Sequence, residues 1–148
     1  MVHFHMKQHP VQYGKEVMAE HNKIGEIGED LAEKWLISRG FDIVERNYRE
    51  KWGEIDIIAK KDKQIRFVEV KAVSYETKKD LEDAVIRGTW RPEENVHRSK
   101  LTKLSRAIET WMEKYKYRGD FQIDVVTVRI VTREKYAKIK MIENVILE

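Results

Sequence analysis

The sequence predicts an α/β fold, a central mixed β-sheet flanked by helices with elements in the order αβββαββ. Three observations carry this. Two stretches repeat apolar residues at helical steps, five short runs are rich in β-branched residues, and the runs alternate with the helices without internal repeats. From Ile24 to Arg39 the residues Ile24, Ile27, Leu31, Trp35 and Leu36 recur every three or four positions, and Gly40 ends the stretch. FDIVERN, from Phe41 to Asn47, reads as the first strand. EIDIIAK and QIRFVEVKA read as the second and third, joined by the polar turn KKDK, Lys60 to Lys63, as an antiparallel hairpin. Ser74 to His97 has weak periodicity, with Gly88 and Pro92 as breakers, and reads largely as loop. The second helix runs from Ser99, an N-cap residue, to about Tyr115, with Leu101, Leu104, Ile108, Trp111 and Met112 on one face. FQIDVVTVRIV and KIKMIENVIL then close the sheet.

The chain divides into residues 1–23, a flexible N-terminal segment without clean periodicity, and a single domain over residues 24–148. His3, His5 and His9 crowd the first segment, but histidines on a tail lack the supporting hydrogen bonds that fix a metal site, so they read as terminal residues. A chain of 148 residues can bury a core without disulfides, and it has no cysteine, which excludes disulfide scaffolds and thiolate metal sites. No apolar run approaches the length of a bilayer span, so the expected setting is cytoplasmic, with no membrane partner. Lys and Arg number 29 against 26 Asp and Glu, a net charge of +3. That permits a polyanionic partner without demanding one.

The informative stretch is GEIDIIAKKDKQIRFVEVK, Gly53 to Lys71. Asp56 sits among Ile55, Ile57 and Ile58, and Glu69 and Lys71 interleave with Phe67, Val68 and Val70. Buried charge is costly unless paired. Glu69 and Lys71, two apart on a strand, project from the same side. Asp56 on the neighbouring strand lies close to Glu69 if it shares that face. Two carboxylates and an ammonium at a strand end make an oxygen-ligand site for Mg²⁺ or Mn²⁺. On the first helix, Glu29 falls at the border of the apolar face, and Gly25, Gly28 and Ala32 allow a close approach to the sheet, so Glu29 is the helical acid placed to join them. Each charge taken singly reads as a solvated ion pair; the acid followed by Glu-x-Lys inside an apolar strand is what favours a metal-dependent site.

GEIGEDLAEKWLISRGFDIVERNYREKWGEIDIIA followed by FVEVK resembles the YraN-like family, small proteins of the PD-(D/E)XK nuclease superfamily that are similar to archaeal Holliday-junction resolvases. The resemblance runs from about Ile24 to Leu147. It implies a restriction-endonuclease-like core and metal-dependent phosphodiester hydrolysis of DNA, including branched or structured DNA. It matches Asp56, Glu69 and Lys71 to the motif's metal-binding aspartate, variable acid and lysine, and Glu29 to the first-helix glutamate, so that Asp56, Glu69 and Glu29 would hold the metal. Two-fold resolvases imply a homodimer. The chain departs from the family pattern at Val73 and Gln122, where arginines are usual.

For the nucleic acid, DNA in preference to RNA, the candidate contacts are Trp90, Arg91, Arg98, Lys100 and Lys103, within a basic run that also holds Arg87 and Arg106. Lys100 matches a lysine of the family pattern, and such residues would add salt-dependent, sequence-independent affinity. Trp90 has two readings, stacking on an unpaired base or anchoring its own loop, and the second is the commoner use of a loop aromatic. The rival to an endonuclease is a binding module that clasps nucleic acid without cleaving it.

Overall fold

A computed structural model describes residues 2–5, 17–88 and 98–145. The elements are β1 (Val2–His5), α1 (Val17–Ser38), β2 (Asp42–Glu50), β3 (Gly53–Lys61), β4 (Gln64–Ser74), α2 (Lys78–Arg87), α3 (Arg98–Lys114), β5 (Phe121–Val131) and β6 (Tyr136–Ile142). The strands form one six-stranded sheet in the order β1-β6-β5-β4-β3-β2. Only β4 and β5 run parallel, and every other pair is antiparallel. The expected α/β class and the αβββαββ core are present, consistent with a restriction-endonuclease-like core.

Three expectations need correction. The N-terminal segment supplies β1, which pairs with β6 and covers a sheet edge that would otherwise expose its backbone groups. His3 and His5 lie in that strand; His9 falls outside the described residues. Helix α1 begins at Val17, seven residues before the apolar periodicity, because nothing between Val17 and Ile24 breaks a helix. And the stretch read as loop contains α2. Its Thr77 side chain accepts from the Asp80 N–H, Gly88 closes it in the left-handed conformation (φ 63°), and buried Leu81 and Ala84 face the sheet.

Helix α1 ends in a reciprocal backbone motif. Gly40 takes φ 90°, its N–H donates to the Ile37 carbonyl, and the Phe41 N–H donates to the Leu36 carbonyl. Phe41 and Leu36 both enter the core, which aims the chain straight into β2. The β3–β4 turn holds two left-handed residues, Asp62 (φ 51°) and Lys63 (φ 65°), the conformation that matches the twist of a two-residue hairpin.

The sheet separates two cores. Leu31, Ala32, Trp35 and Leu36 of α1 pack on Ile57, Val68, Val126, Val128 and Ile139. On the other face Leu104, Ala107, Ile108 and Trp111 of α3 pack on Ile55, Ile58, Phe67 and Ile123. A smaller cluster of Leu81, Val131 and Tyr136 seats α2. Strand β5 is almost wholly buried, as a strand covered on both faces must be.

Candidate active site

The site forms where the sheet comes apart. The β3–β4 ladder stops at Ile57 and Val68, while β3 stays paired to β2 as far as Gly53 and β4 stays paired to β5 as far as Ser74. A cleft of about 1100 Å³ opens in this seam, bounded by α1, the ends of β2 and β3, and β4.

Asp56 stands at the fork, and a kink in the strand pair aims it. Ile57 belongs to the core beneath α1, but Ile55, two residues away, belongs to the core beneath α3. Strict alternation would put them on one face. On β2 the same break occurs: Arg46 reaches α1, whereas Tyr48 joins the α3 core. Between the Arg46–Ile57 and Tyr48–Ile55 pairs, Asn47 falls across from Asp56 and takes the left-handed conformation (φ 52°). The strand pair therefore rolls about Asn47 and Asp56, leaving the Asp56 side chain directed sideways into the seam. There it replaces the missing ladder, accepting the Val70 N–H at 2.8 Å.

Glu69 and Lys71 share the side of β4 occupied by Phe67, and the Lys71 ammonium lies 3.4 Å from a Glu69 carboxylate oxygen. Glu69 is 3% exposed. Glu29 arrives from the opposite side of the sheet. Helix α1 comes this close because residue 28 is glycine: a Cβ there would sit 2.5 Å from the Ala72 Cβ. Gly25, by contrast, faces open space, so it plays no part in the close approach expected of it. Of the four residues singled out in the sequence, Glu29, Asp56 and Glu69 line one cleft, and Lys71 is joined to them through its ion pair with Glu69.

Their electrostatics are strained. Burial, then the neighbouring Glu69 charge, push the Asp56 carboxyl up to about 8, against the partial relief of the Val70 N–H. Asp56 is within hydrogen-bonding reach of both Glu69 and Glu29, and burial raises Glu29 as well, with Arg46 pulling the other way. Three carboxylates crowded together hold a proton where a cation would relieve them.

Arg46 is the cleft residue that the sequence reading missed. Its Nη1 donates to Asp30 at 2.8 Å and to Glu33 at 2.9 Å, and its Nη2 lies 3.7 Å from Glu29. The available signal was the acidic stripe Glu29, Asp30 and Glu33 on one side of α1, which calls for a cation from the sheet. Asp124, fully buried, has a structural role: it accepts from Arg66, from Gln122 and from the Asn144 N–H. Arg66 thus supplies a guanidinium beside Gln122. Val73, the other departure, lines the cleft and pairs in register with Arg129, a buried arginine on β5.

Among the described residues no three carboxylate or histidine side chains form a ready-made metal cage. The donor set is a pair of hard oxygen ligands, Asp56 and Glu69, and carboxylate pairs completed by water are the usual way Mg²⁺ is held. The residues present fit such an ion. Of the candidate nucleic-acid contacts, Trp90 and Arg91 lie outside the described residues, and Arg98 and Lys100 fall in the first turn of α3. Lys103 is exposed on α3, and its carbonyl abuts Gly53 at the start of β3, three residues from Asp56. No helix among the described residues is long and apolar enough to cross a membrane.

Sequence comparisons agree with one another. A UPF0102 protein of Campylobacter fetus is 39% identical over 118 residues, covering 80% of this chain and 88% of its own. One from Campylobacter jejuni is 41% identical over 105 residues, covering 71% and 82%. One from Campylobacter hominis is 36% identical over 125 residues, covering 84% and 95%. The model of the uncharacterised protein family UPF0102 matches residues 28–128, a span that contains Glu29, Arg46, Asp56, Glu69 and Lys71, and the chain belongs to that family.

Proposed function

We propose that the protein is a metal-dependent endonuclease of the PD-(D/E)XK type that hydrolyses phosphodiester bonds in DNA, branched or structured DNA included, in the cytoplasm. The observation that carries this reading is the buried Asp56–Glu69 pair, held in a cleft at the fork of the sheet with Lys71 against it. Asp56 and Glu69 are the residues that would hold Mg²⁺ or Mn²⁺, with Glu29 on the outer side. The ion would supply positive charge to a phosphoryl group and its attacking water.

The chain's own groups account for the rest. The Val70 N–H fixes one Asp56 oxygen, leaving the other to face the cleft. The Lys71 ammonium, tethered to Glu69, orients the attacking water and offsets charge developing on the phosphate. The cleft lining includes six acids, Glu26, Glu29, Asp30, Glu54, Asp56 and Glu69, against two arginines, Arg46 and Arg49. A polyanion is therefore repelled until divalent charge is in place, which makes substrate binding at the cleft depend on metal. Lys103 and the basic run of α3 provide affinity outside it.

The test is to incubate labelled linear, single-stranded, flapped and four-way-junction DNA with the protein in Mg²⁺, Mn²⁺ or EDTA, beside Asp56→Ala and Lys71→Ala. Cleavage that needs metal and disappears in both folded variants is expected. Binding without cleavage by the wild type would favour a nucleic-acid-binding module, and cleavage persisting in the variants would move the site elsewhere. Size measurements on the DNA complex test the homodimer that resolvase-like action requires.

A further inference from the structure

We propose that Arg46 is a resident cation of the site: its guanidinium stands beside Glu29 where a second metal ion would bind, so the cleft takes one divalent ion. This rests on the metal-centre reading above and specifies how many ions that centre holds.

The geometry begins with α1. Glu29, Asp30 and Glu33 project from one side of the helix towards β2, and a single guanidinium meets all three. The two short bonds, to Asp30 and Glu33, anchor it; the remaining nitrogen is turned to Glu29 at 3.7 Å. The backbone of Arg46 is in register with Ile57, next to Asp56, so the cation is carried on the strand pair that carries the metal ligand. Its Nε is buried without a hydrogen-bond partner in the structure, so the guanidinium is drawn to the acids at the expense of that donor. An arginine keeps its charge throughout the working pH range, unlike a proton on Asp56, so this counter-ion is permanent.

Charge balance leads to the same result. Five carboxylates are linked through the site: Arg46 holds Asp30 and Glu33 and faces Glu29, Glu29 adjoins Asp56, Asp56 adjoins Glu69, and Lys71 stands beyond Glu69. When ionised they leave a deficit of three charges, which one divalent ion brings to within one of neutrality. Without Arg46 the deficit is four, and two divalent ions cancel it. A second ion at Glu29 would also sit against the guanidinium, like charge on like charge. Glu29 is thereby a positioning residue, oriented by Arg46 against Asp56, and Arg46 fixes the stoichiometry.

Manganese titration of the DNA-free protein, read by calorimetry and by the electron paramagnetic resonance of unbound Mn²⁺, tests this without reference to cleavage. The expected count is one ion per wild-type chain, rising to two in Arg46→Gln and returning to one in Arg46→Gln/Glu29→Gln. Arg46→Lys, which keeps the charge, is expected to stay at one. Two ions in the wild type, or one in a folded Arg46→Gln, would overturn the proposal. Should Arg46→Gln not fold, the wild-type count and Arg46→Lys still decide it, since two ions in either refutes a resident cation. A wild-type count of zero refutes the metal centre itself. A count of one in a protein that cleaves nothing refutes the nuclease reading and leaves the role of Arg46 standing.

Discussion

Asp56→Asn should make the metal-free protein more stable while removing its response to metal. Asparagine is nearly isosteric with the protonated acid: its carbonyl can still accept the Val70 N–H, and its amide can donate to Glu69 as the carboxyl proton does. What it cannot do is ionise. Between pH ~4 and ~8 the folded protein holds Asp56 protonated while the unfolded chain releases that proton. The unfolded state therefore binds fewer protons, and wild-type stability falls as pH rises through this window, levelling above it. A rise from 3.8 to about 8, at about 1.4 kcal/mol per pH unit, sets an upper limit of about 6 kcal/mol. Movement of the Lys71 ammonium and entry of water into the open cleft relieve part of this, so the expected gain at pH 8 is about 2–4 kcal/mol. For a chain of this length that is a rise in Tm of about 5–12 °C. The assay is thermal unfolding in EDTA from pH 4 to 9, repeated with Mg²⁺. The gap between variant and wild type should be near zero at pH 4 and greatest at pH 8, and Mg²⁺ should stabilise only the wild type. A gap that does not change with pH, or a variant less stable at pH 8, would show that Asp56 carries no electrostatic strain.

Because a bound ion displaces the Asp56 proton, apparent Mg²⁺ affinity should rise by up to about tenfold per pH unit from pH 6 to 8 and then flatten. Calorimetry in two buffers of different ionisation enthalpy should detect the released proton, and its absence would remove Asp56 from the ligand set. Gly28→Ala should cost about 1–3 kcal/mol by pressing its methyl against Ala72 and should weaken metal binding through Glu29, with Ala72→Gly restoring both. No recovery in the double variant would mean that this contact does not set the helix position. Lys103→Glu and Arg106→Glu, both exposed on α3, should each weaken DNA binding across all sequences. Each should also lower the slope of log affinity against log salt by about 1, and unchanged slopes would place the duplex elsewhere.

The chemistry-bearing residues were legible because each left a local mark. Asp56, Glu69 and Lys71 interrupt apolar strands, and Glu29 follows from the helical wheel once the apolar face of α1 is drawn. Strands β2 to β6 and helix α3 were equally readable from alternation and helical steps. Helix α2 was not, though Thr77, the spacing of Leu81, Ala84 and Val85, and Gly88 were all present; ten residues with two buried side chains give too short a period to stand out. Strand β1 left no mark at all, since four residues become a strand only where β6 offers them an edge.

The sequence by itself determined the identity of the acids, the lysine and the elements that carry them, because periodicity and side-chain chemistry are properties of neighbours along the chain. Only the tertiary structure decided what those groups do to one another. The roll at Asn47 and Asp56 breaks the alternation on which strand faces are read, and the opened β3–β4 seam lets Glu29 from one face of the sheet and Glu69 from the other both reach Asp56. Arg46 finds its partners 13 and 16 residues away across a helix–strand contact. Above all, the raised Asp56 is a consequence of desolvation and adjoining charge. Both depend on which atoms surround a group in space, and no pattern along the chain encodes them.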